Sequence, residues 1–253
     1  MSDVFGLAGS EILVTGGTRG IGRAISLQLA RAGASVVANY VRNDAAAEAL
    51  RGQAAEEHLA LEVLRADLTL AKGLAAVLER MRASTRRPVS LVHCAGTGVH
   101  RPFEQLTPRH WDWTMALNVR AFFELASQMV SLFGEGSAIV PVSSAGAVRA
   151  VPAYSAVGAS KGALEALARH LAAELAPRGI RVNILSPGSV ETEAWAALPG
   201  KDERLAETVR RTPLGRTVNV EEVAQAAQFL CSRASHGIVG HTLVVDGGAR
   251  IVD

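Results

Sequence analysis

The stretch Thr15–Gly22 reads Thr-Gly-Gly-Thr-Arg-Gly-Ile-Gly and directly follows the apolar run Ile12–Thr15. Glycines at the point where a strand turns into a helix let the backbone approach a pyrophosphate, whose charge is then held at the helix N-terminus. The spacing is Gly-x-x-x-Gly-x-Gly, and many such turns need glycine for backbone reasons alone. After the first strand of an alternating α/β chain, the stretch predicts a dinucleotide-binding turn.

Short β-branched runs alternate with longer helical stretches along the rest of the chain. Continuous apolar strands separated by helices are typical of a parallel sheet covered on both faces. We therefore predict a single doubly wound α/β domain over residues 1–253, with a seven-stranded parallel sheet and helices on both faces. The predicted strands are Ile12–Thr15, Ser35–Asn39, Leu61–Ala66, Ser90–His93, Ala138–Val142, Arg181–Leu185 and Thr242–Val245. The predicted helices are Gly20–Ala32, Ala45–Glu57, Leu74–Arg82, Arg109–Leu132, Gly158–Leu175 and Val220–Cys231.

The segment Pro187–Pro213 breaks this alternation. It carries a Pro-Gly pair and apolar side chains, which favours a mobile segment that covers a substrate site. Trp195 and Leu198 are the side chains expected to close over an acyl chain. A surface excursion without function is the alternative.

Composition excludes several classes of protein. The 253 residues include 26 basic and 24 acidic side chains, a net charge of +2, and 49% are hydrophobic. The chain is too apolar for disorder, and its near-neutral charge gives no case for nucleic-acid binding. No apolar run approaches the roughly 20 residues that span a bilayer, and the N-terminus lacks the pattern of a secretory signal. Cys94 and Cys231 lie too far apart in sequence to suggest a disulfide framework or a metal site. A cytoplasmic globular protein without a metal is expected.

The end of the second predicted strand selects the nucleotide. An NAD site usually places Asp or Glu there for the ribose 2′-hydroxyl. Here Asn39, Tyr40 and Arg42 occupy this point, and no acid occurs before Asp44. Arg19 and Arg42 flank the same point, and guanidinium groups suit a phosphate dianion. The sequence favours NADP(H), with solvated surface arginines as the alternative.

Further motifs extend over nearly the whole chain. They are Asp67-Leu68, Cys94-Ala95-Gly96, Asn118, Ser143-Ser144, Lys161, Pro187-Gly188 and Asp246-Gly247-Gly248. With the glycine-rich turn, they make the chain resemble the short-chain dehydrogenase/reductase superfamily. The resemblance implies a Rossmann fold, a nicotinamide cofactor and a homo-oligomer, either a tetramer or a dimer. The residues that it places at the cofactor are Gly16, Thr18, Arg19, Gly20, Ile21, Gly22, Asn39, Tyr40, Arg42, Asp67, Leu68, Cys94, Ala95, Gly96, Lys161, Pro187, Gly188, Val190 and Thr192.

The chain departs from the superfamily pattern at two places. His93 stands where an asparagine is usual, and we interpret it as a packing variant at a strand end. Val157 stands where most members carry the tyrosine of Tyr-x-x-x-Lys. Tyr154 and Lys161 instead form Tyr-x6-Lys, a spacing that resembles the NADPH-dependent enoyl-acyl-carrier-protein reductases of short-chain type. The similarity to that group extends over residues 99–102, 110–115, 158–167 and 212–216.

Helix geometry is compatible with the longer spacing. Seven residues of helix turn through about 700°, so Tyr154 projects within about 20° of Lys161 if the helix reaches that far. A tyrosine at position 157 would lie about 40° away on the other side and roughly 4.5 Å further along the axis. Both positions address the same face.

The resemblance assigns four catalytic roles. Tyr154 stabilises the developing enolate, and Lys161, one of only three lysines, holds the nicotinamide ribose. Ser144 lines the site of the substrate carbonyl, and Asn118 supports a water-linked proton path. The alternatives are a half-buried aromatic ring, a surface lysine, a serine at a strand end and an asparagine that bends a helix.

These observations predict NADPH-dependent reduction of the C2=C3 double bond of a trans-2-enoyl thioester in fatty-acid or polyketide-type biosynthesis. The acyl group is expected on acyl carrier protein or coenzyme A. A 3-ketoacyl or ketone reductase of the same superfamily is the first alternative, and it needs a substitute for the tyrosine missing at position 157. A non-catalytic NADP(H)-binding partner protein is the second.

Overall fold

A computed structural model describes residues 4–191 and 201–252, with side chains from residue 205 onward in the second range. Its strands are β1 Glu11–Thr15, β2 Ser35–Tyr40, β3 Leu61–Arg65, β4 Val89–His93, β5 Ala138–Pro141, β6 Arg181–Val182, β7 Ile184–Pro187 and β8 Thr242–Val245. Its α-helices are α1 Gly20–Arg31, α2 Asp44–Glu56, α3 Ala71–Arg82, α4 Pro108–Met115, α5 Ala121–Met129, α6 Ser155–Leu175, α7 Lys201–Arg211 and α8 Val220–Cys231.

Every strand pair is parallel, as the alternation of strands and helices predicts. Six strands pair in the order β3-β2-β1-β4-β5-β6, and β7 pairs with β8. The chain crosses over between β3 and β4, so β1 and β4 are neighbours at the centre of the sheet. Their carboxyl ends form the crevice in which open α/β sheets bind ligands.

The predicted count of seven strands is wrong, because the sixth predicted strand is divided at Asn183. The Asn183 side chain donates to the Ile238 carbonyl at 2.7 Å and accepts from the His241 N–H at 3.0 Å. The strand changes partner there, from β5 before the break to β8 after it. Leu185 still accepts a hydrogen bond from the Ser143 N–H at 2.7 Å, so the two sheets adjoin.

Two apolar clusters cover the two faces of the sheet. Leu13 on β1 packs in the cluster that contains the buried faces of α3, α5 and α6. Its neighbour Ile12 packs in the opposite cluster, with α1 and α8. Successive side chains of a strand point to opposite faces, so burial on both sides makes the strands continuously apolar.

Besides the divided strand and shifts of one residue, four predicted elements have different boundaries. Helix α3 begins at Ala71, three residues earlier than predicted. The predicted helix Arg109–Leu132 is divided into α4 and α5 by a π-helical turn at Ala116–Arg120. Helix α6 begins at Ser155, three residues earlier than predicted. The segment 187–213, predicted to be mobile and to cover a substrate site, contains α7, and its residues 192–200 lie outside the described residues.

Candidate active site

The glycine-rich turn Thr15–Gly22 has the geometry that a pyrophosphate requires. Gly16 has a φ of +64°, and a Cβ there would lie 2.9 Å from the Ala95 Cα. A Cβ at Gly22 would overlap the Gly16 carbonyl. The backbone of this turn is therefore packed against the loop that follows β4, and side chains at these two glycines are excluded.

The N-terminus of α1 is left open toward this turn. Among the described residues no side chain caps the helix at Arg19, and its first turn carries no acidic residue. The unsatisfied N–H groups and the helix dipole therefore favour an anion at this point.

A cavity of about 490 Å³ runs along the carboxyl ends of β1 to β4. It brings together most of the residues predicted to contact the cofactor: Gly16, Thr18, Arg19, Gly20, Ile21, Gly22, Asn39, Tyr40, Arg42, Asp67, Leu68, Cys94, Ala95 and Gly96. It also brings in residues that sequence reasoning missed: Val41, Asn43, Thr69, Thr97, Trp113 and Leu117. Leu117 immediately precedes Asn118, and Trp113 lies one helical turn before Leu117. Their spacing from Asn118 is the feature of the sequence that could have placed them at the cavity.

Two exposed arginines mark one end of the cavity. Neither the Arg19 nor the Arg42 side chain has a hydrogen-bond or ion-pair partner among the residues that the structure describes. The first acid after β2, Asp44, accepts a hydrogen bond from the Tyr40 hydroxyl at 2.8 Å and pairs with Arg65 at 3.3 Å. Because Asp44 is engaged in this way, the end of β2 presents positive rather than negative charge.

The π-helical turn between α4 and α5 places Asn118 inside the fold. Its Oδ1 accepts from the Thr97 N–H at 2.8 Å, and its Nδ2 donates to the Thr97 carbonyl and the Ser160 hydroxyl, both at 2.9 Å. A π-turn inserts one extra residue into the helical ladder and is frequent at functional sites. Asn118 therefore fixes the strand-end loop beside α6.

Lys161 is a buried cation next to this loop. Only 8% of the residue is exposed, and its Nζ donates to the Val142 carbonyl at 2.7 Å. A Cβ at Gly96 would lie 3.7 Å from Lys161 Nζ and 3.7 Å from Asn118 Oδ1, so both side chains border the cavity wall. Burial lowers the pKa of Lys161 to about 8, while the neighbouring Cys94 and Glu165 act in the opposite direction.

Tyr154 and Ser144 bring their hydroxyls together. The Tyr154 Oη lies 3.3 Å from the Ser144 Oγ, which also accepts from the Gly146 N–H at 3.2 Å. The Tyr154 ring packs edge-on against His100 at a centroid distance of 5.1 Å. Burial raises the pKa of Tyr154, and its hydrogen bond with Ser144 opposes that effect. The tyrosine hydroxyl therefore stays protonated at neutral pH.

Tyr154 lies at the N-cap of α6 rather than within the helix. Its φ of −123° and ψ of 11° are not helical, but its carbonyl accepts the first intrahelical bond, from the Gly158 N–H at 2.7 Å. The predicted helical alignment with Lys161 therefore does not apply as stated. Val157, the position of the usual tyrosine, is buried and fills the space beside Gly98.

His93 and Cys94 are both held neutral. The Thr15 hydroxyl accepts from the Ala95 N–H at 3.1 Å and lies 3.0 Å from His93 Nδ1. Burial, followed by the charge of Lys161, lowers the pKa of His93 to about 3. Burial raises the pKa of Cys94 to about 11. His93 therefore packs and positions the end of β4 without acting as a base, as the sequence analysis expects.

Some predicted residues lie elsewhere. Pro187 ends β7, the Gly188 N–H donates to the Val245 carbonyl at 2.9 Å, and Val190 is buried in a bridge with Val218. These three, and the predicted cofactor residue Lys161, are not among the residues that line the cavity in the described part of the chain. Thr192, Trp195 and Leu198 lie outside the described residues.

Residues 4–191 and 201–252 contain neither a candidate metal site nor a candidate membrane span. No group of three or more His, Cys, Asp or Glu side chains there could hold a metal ion. No helix in these ranges is both long and apolar enough to cross a bilayer.

The cavity fits a phosphorylated dinucleotide. A glycine-rich turn meets an uncapped helix N-terminus, and two guanidiniums without a side-chain partner among the described residues lie at one end. The buried Lys161 lies behind Gly96 of the cavity wall. These are the donors that a pyrophosphate, a ribose phosphate and a second ribose require.

The chain is similar to several known proteins. A family model described as enoyl-(acyl carrier protein) reductase matches residues 16–250. 1-Cyclohexenylcarbonyl-CoA reductase of Streptomyces collinus is 34% identical over 242 residues, which are 95% of this chain and 86% of that protein. Gluconate 5-dehydrogenase of Gluconobacter oxydans is 34% identical over 98% of both chains. The crystal structure of a gluconate 5-dehydrogenase from Burkholderia cenocepacia, in complex with NADP and tartrate, matches with a TM-score of 0.90 at 32% identity over 99% of both chains.

Proposed function

The chain belongs to the short-chain dehydrogenase/reductase superfamily, and from that premise we propose that it uses NADPH to reduce the C2=C3 double bond of a trans-2-enoyl thioester. Membership makes it an oxidoreductase with a Rossmann-type fold. Beyond membership, we propose the identity of the nucleotide, the bond that is reduced and the thioester substrate.

The position of the Tyr154 hydroxyl carries this proposal. Tyr154 lies three residues before Val157, which is buried at the position of the usual tyrosine. From there the Tyr154 hydroxyl lies 3.3 Å from the Ser144 hydroxyl. Reducing a ketone adds hydride to the carbon that bears the reacting oxygen. Reducing an enoyl thioester adds hydride to C3, three bonds from the carbonyl oxygen that becomes an enolate. A tyrosine that starts from a different backbone position can present its hydroxyl at a different point, which suits the second geometry.

The protonation state of Tyr154 agrees with this role. Because burial raises its pKa, the side chain is a hydrogen-bond donor at neutral pH. An oxyanion hole needs such a donor, aimed at the oxygen on which charge develops. Oxidation of an alcohol instead needs a tyrosinate that accepts a proton, and the raised pKa disfavours it.

Residues of the cavity position the reactants. NADPH, when bound, supplies the hydride. Lys161 would hold the nicotinamide ribose hydroxyls, and Arg19 and Arg42 would bind the ribose phosphate at the far end. Tyr154 and Ser144 would hold the thioester carbonyl, and C2 would take a proton from water as the enolate collapses.

Carbonyl reduction is the nearest rival. The Tyr154–Ser144 hydrogen bond would serve a carbonyl oxygen too, and several relatives are gluconate 5-dehydrogenases or keto-gluconate reductases. A cofactor-binding protein without activity is a more distant rival. The intact network of Asn118 with Ser160 and Thr97, beside a buried Lys161, argues against it.

We extend the proposal to the partners. The acyl group would arrive on acyl carrier protein or coenzyme A, and the working form would be a homo-oligomer. Both points rest on the resemblance to the superfamily and its enoyl reductases.

The test compares crotonyl, acetoacetyl and keto-gluconate substrates with NADPH under identical conditions, following nicotinamide absorbance. Oxidation of NADPH with the crotonyl thioester alone is the expected result. Oxidation only with a keto substrate would replace the proposal by carbonyl reduction. NADPH binding without turnover of any of the three would favour the binding protein.

A further inference from the structure

Trp113 is a wall of the nucleotide cavity and not only a packing residue of α4. It lines both this cavity and a wider groove of about 1060 Å³ beside α4 and α5. Its residue surface is 43% exposed, so a large aromatic side chain lies against open space. An exposed tryptophan at the edge of a ligand cavity offers a flat apolar face to that ligand.

Helical spacing explains why Trp113 faces the cavity. Leu117, four residues later, also lines it, and residues four apart lie on the same side of a helix. Trp111 is equally exposed, at 46%, but is not among the described residues that line the cavity. Two residues of helix turn through about 200°, so Trp111 points away from the side that Trp113 occupies.

The location of Trp113 identifies which part of the nucleotide it meets. Arg19 and Arg42 mark the end that takes the ribose phosphate, and adenine is attached to that same ribose. β3 pairs with β2, so the turn after β3 lies at this end of the cavity. Thr69 in that turn lines both the cavity and the groove, together with Trp113.

The turn that faces Trp113 is held in place by its own hydrogen bonds. Asp67 Oδ1 accepts from the Thr69 N–H at 2.9 Å and from the Thr69 hydroxyl at 2.7 Å. Leu68, between them, is almost fully buried and lines the cavity. The adenine end therefore has a fixed aliphatic wall on the β3 side and an aromatic wall on the α4 side.

We infer that Trp113 binds the adenine ring of the cofactor and sets the affinity of the adenosine half of NADPH. This inference rests on the proposed use of NADPH. Stacking of a base on an aromatic side chain adds to binding affinity. Loss of the ring should therefore weaken NADPH binding about tenfold, with no effect on a ligand that lacks adenine.

Binding titrations without a thioester substrate test the inference. Trp113→Leu and Trp113→Phe are compared with Trp111→Leu, the matched control on the same helix. Each protein is titrated with NADPH and with reduced nicotinamide mononucleotide, and circular dichroism and thermal unfolding of the cofactor-free proteins verify the fold. Trp113→Leu should raise the Kd for NADPH about tenfold and leave that for the mononucleotide unchanged. Trp113→Phe should lie between wild type and Trp113→Leu, and Trp111→Leu should bind both ligands as wild type does.

Energy transfer gives a second readout. Excitation of tryptophan should sensitise emission of bound NADPH, and Trp113→Phe should reduce this signal more than Trp111→Phe does. Equal Kd values for NADPH in Trp113→Leu and Trp111→Leu would overturn the inference, as would equal loss of NADPH and mononucleotide. Failure of the wild-type protein to bind NADPH would instead overturn the proposed function, together with the inference that rests on it.

Discussion

At the scale of single residues, Tyr154 separates the candidate activities. Tyr154→Phe keeps the ring that packs against His100 and removes only the hydroxyl that meets Ser144. Loss of one donor from an oxyanion hole lowers kcat about a hundredfold to a thousandfold. We expect that loss with crotonyl thioester, measured by steady-state NADPH oxidation.

NADPH affinity is the control for Tyr154→Phe. The tyrosine is not among the described residues that line the nucleotide cavity, so the Kd for NADPH should stay at its wild-type value. A variant that reduced crotonyl thioester at the wild-type rate would remove Tyr154 from the mechanism.

Lys161 predicts a pH dependence. Its pKa in the folded, cofactor-free protein is about 8, below the ordinary value of 10.5. The cation that would hold the ribose is lost as pH rises through about 8. Since kcat/KM reports the free enzyme, kcat/KM for NADPH should fall above that pH. The matched control is Lys72→Met, because Lys72 is an exposed lysine on α3 and should leave the profile unchanged.

Stability should change in the opposite direction. Between pH 8 and 10.5 the unfolded chain keeps the Lys161 proton that the folded chain has released. The free energy of unfolding therefore rises with pH in this window, and the penalty of the buried charge is fully present below it. Urea unfolding at several pH values should show this rise in the wild type, and Lys161→Met should reduce it. An unchanged slope in that variant would contradict the assignment.

Sequence reasoning identified the candidate catalytic residues better than the cavity walls. Asn118, Ser144 and Lys161 are predicted from the resemblance to the superfamily, and the structure puts all three at the carboxyl edge of the sheet. Trp113 and Leu117 carry no motif. Only their spacing from Asn118 points to the cavity, and their place there depends on how α4 and the π-helical turn pack, which is a tertiary property.

At the scale of elements, the C-terminus of α8 depends on one buried arginine. Arg181, 4% exposed, donates to the carbonyls of Leu230 at 2.8 Å and Ser232 at 3.1 Å, and to the Ser235 hydroxyl at 2.6 Å. These carbonyls end the helix and have no partners in the helical ladder. The Ser235 hydroxyl lies 3.1 Å from each of them and is a second donor beside Arg181. The side chain thus ties β6 to α8.

Arg181→Met should therefore be destabilising. A buried acceptor that loses its donor costs about 1–3 kcal/mol, but the Ser235 hydroxyl still reaches both carbonyls, so we expect a loss of about 2 kcal/mol in the free energy of unfolding, measured in urea. Arg178→Met is the matched control. Arg178 also donates to carbonyls, those of Val130 and Phe133, but is exposed, so its loss should cost less than about 1 kcal/mol. Equal effects of the two substitutions would contradict this account of α8.

The predicted element boundaries are wrong where side chains replace regular backbone hydrogen bonds. The apolar period of residues 109–132 predicts one helix, and it does not show that Asn118 bonds to Thr97 and opens a π-turn. The β-branched run 181–185 predicts one strand, and it does not show that Asn183 bonds to Ile238 and His241. Both breaks come from asparagines whose partners are distant in sequence. Local patterns contain no information about those partners.

At the scale of the whole molecule, the core and the cavity have separate tasks. Two apolar clusters on the faces of the sheet hold the strands parallel and leave their carboxyl ends uncovered. The glycine turn, Arg42, Asp67 and Gly96 come from four successive strand ends and meet only because of that arrangement. A nucleotide that contacts all four ends should therefore stabilise the fold as a unit.

Thermal unfolding measures that linkage and also tests the choice of nucleotide. A ligand at a hundred times its Kd adds about 2.7 kcal/mol to the stability of the folded state. For a domain of this size that amount raises Tm by about 5–10 °C. We expect this shift with NADPH and a smaller one with NADH at the same concentration, because NADH lacks the phosphate that Arg19 and Arg42 would bind.

Arg42→Leu should remove most of the difference between the two Tm shifts and leave the NADH shift intact. The control is Arg51→Leu: Arg51 pairs with Glu48 on α2 and does not line the described part of the cavity, so it should preserve the difference. Equal shifts with the two nucleotides in the wild-type protein would show that the arginine pair does not select NADPH.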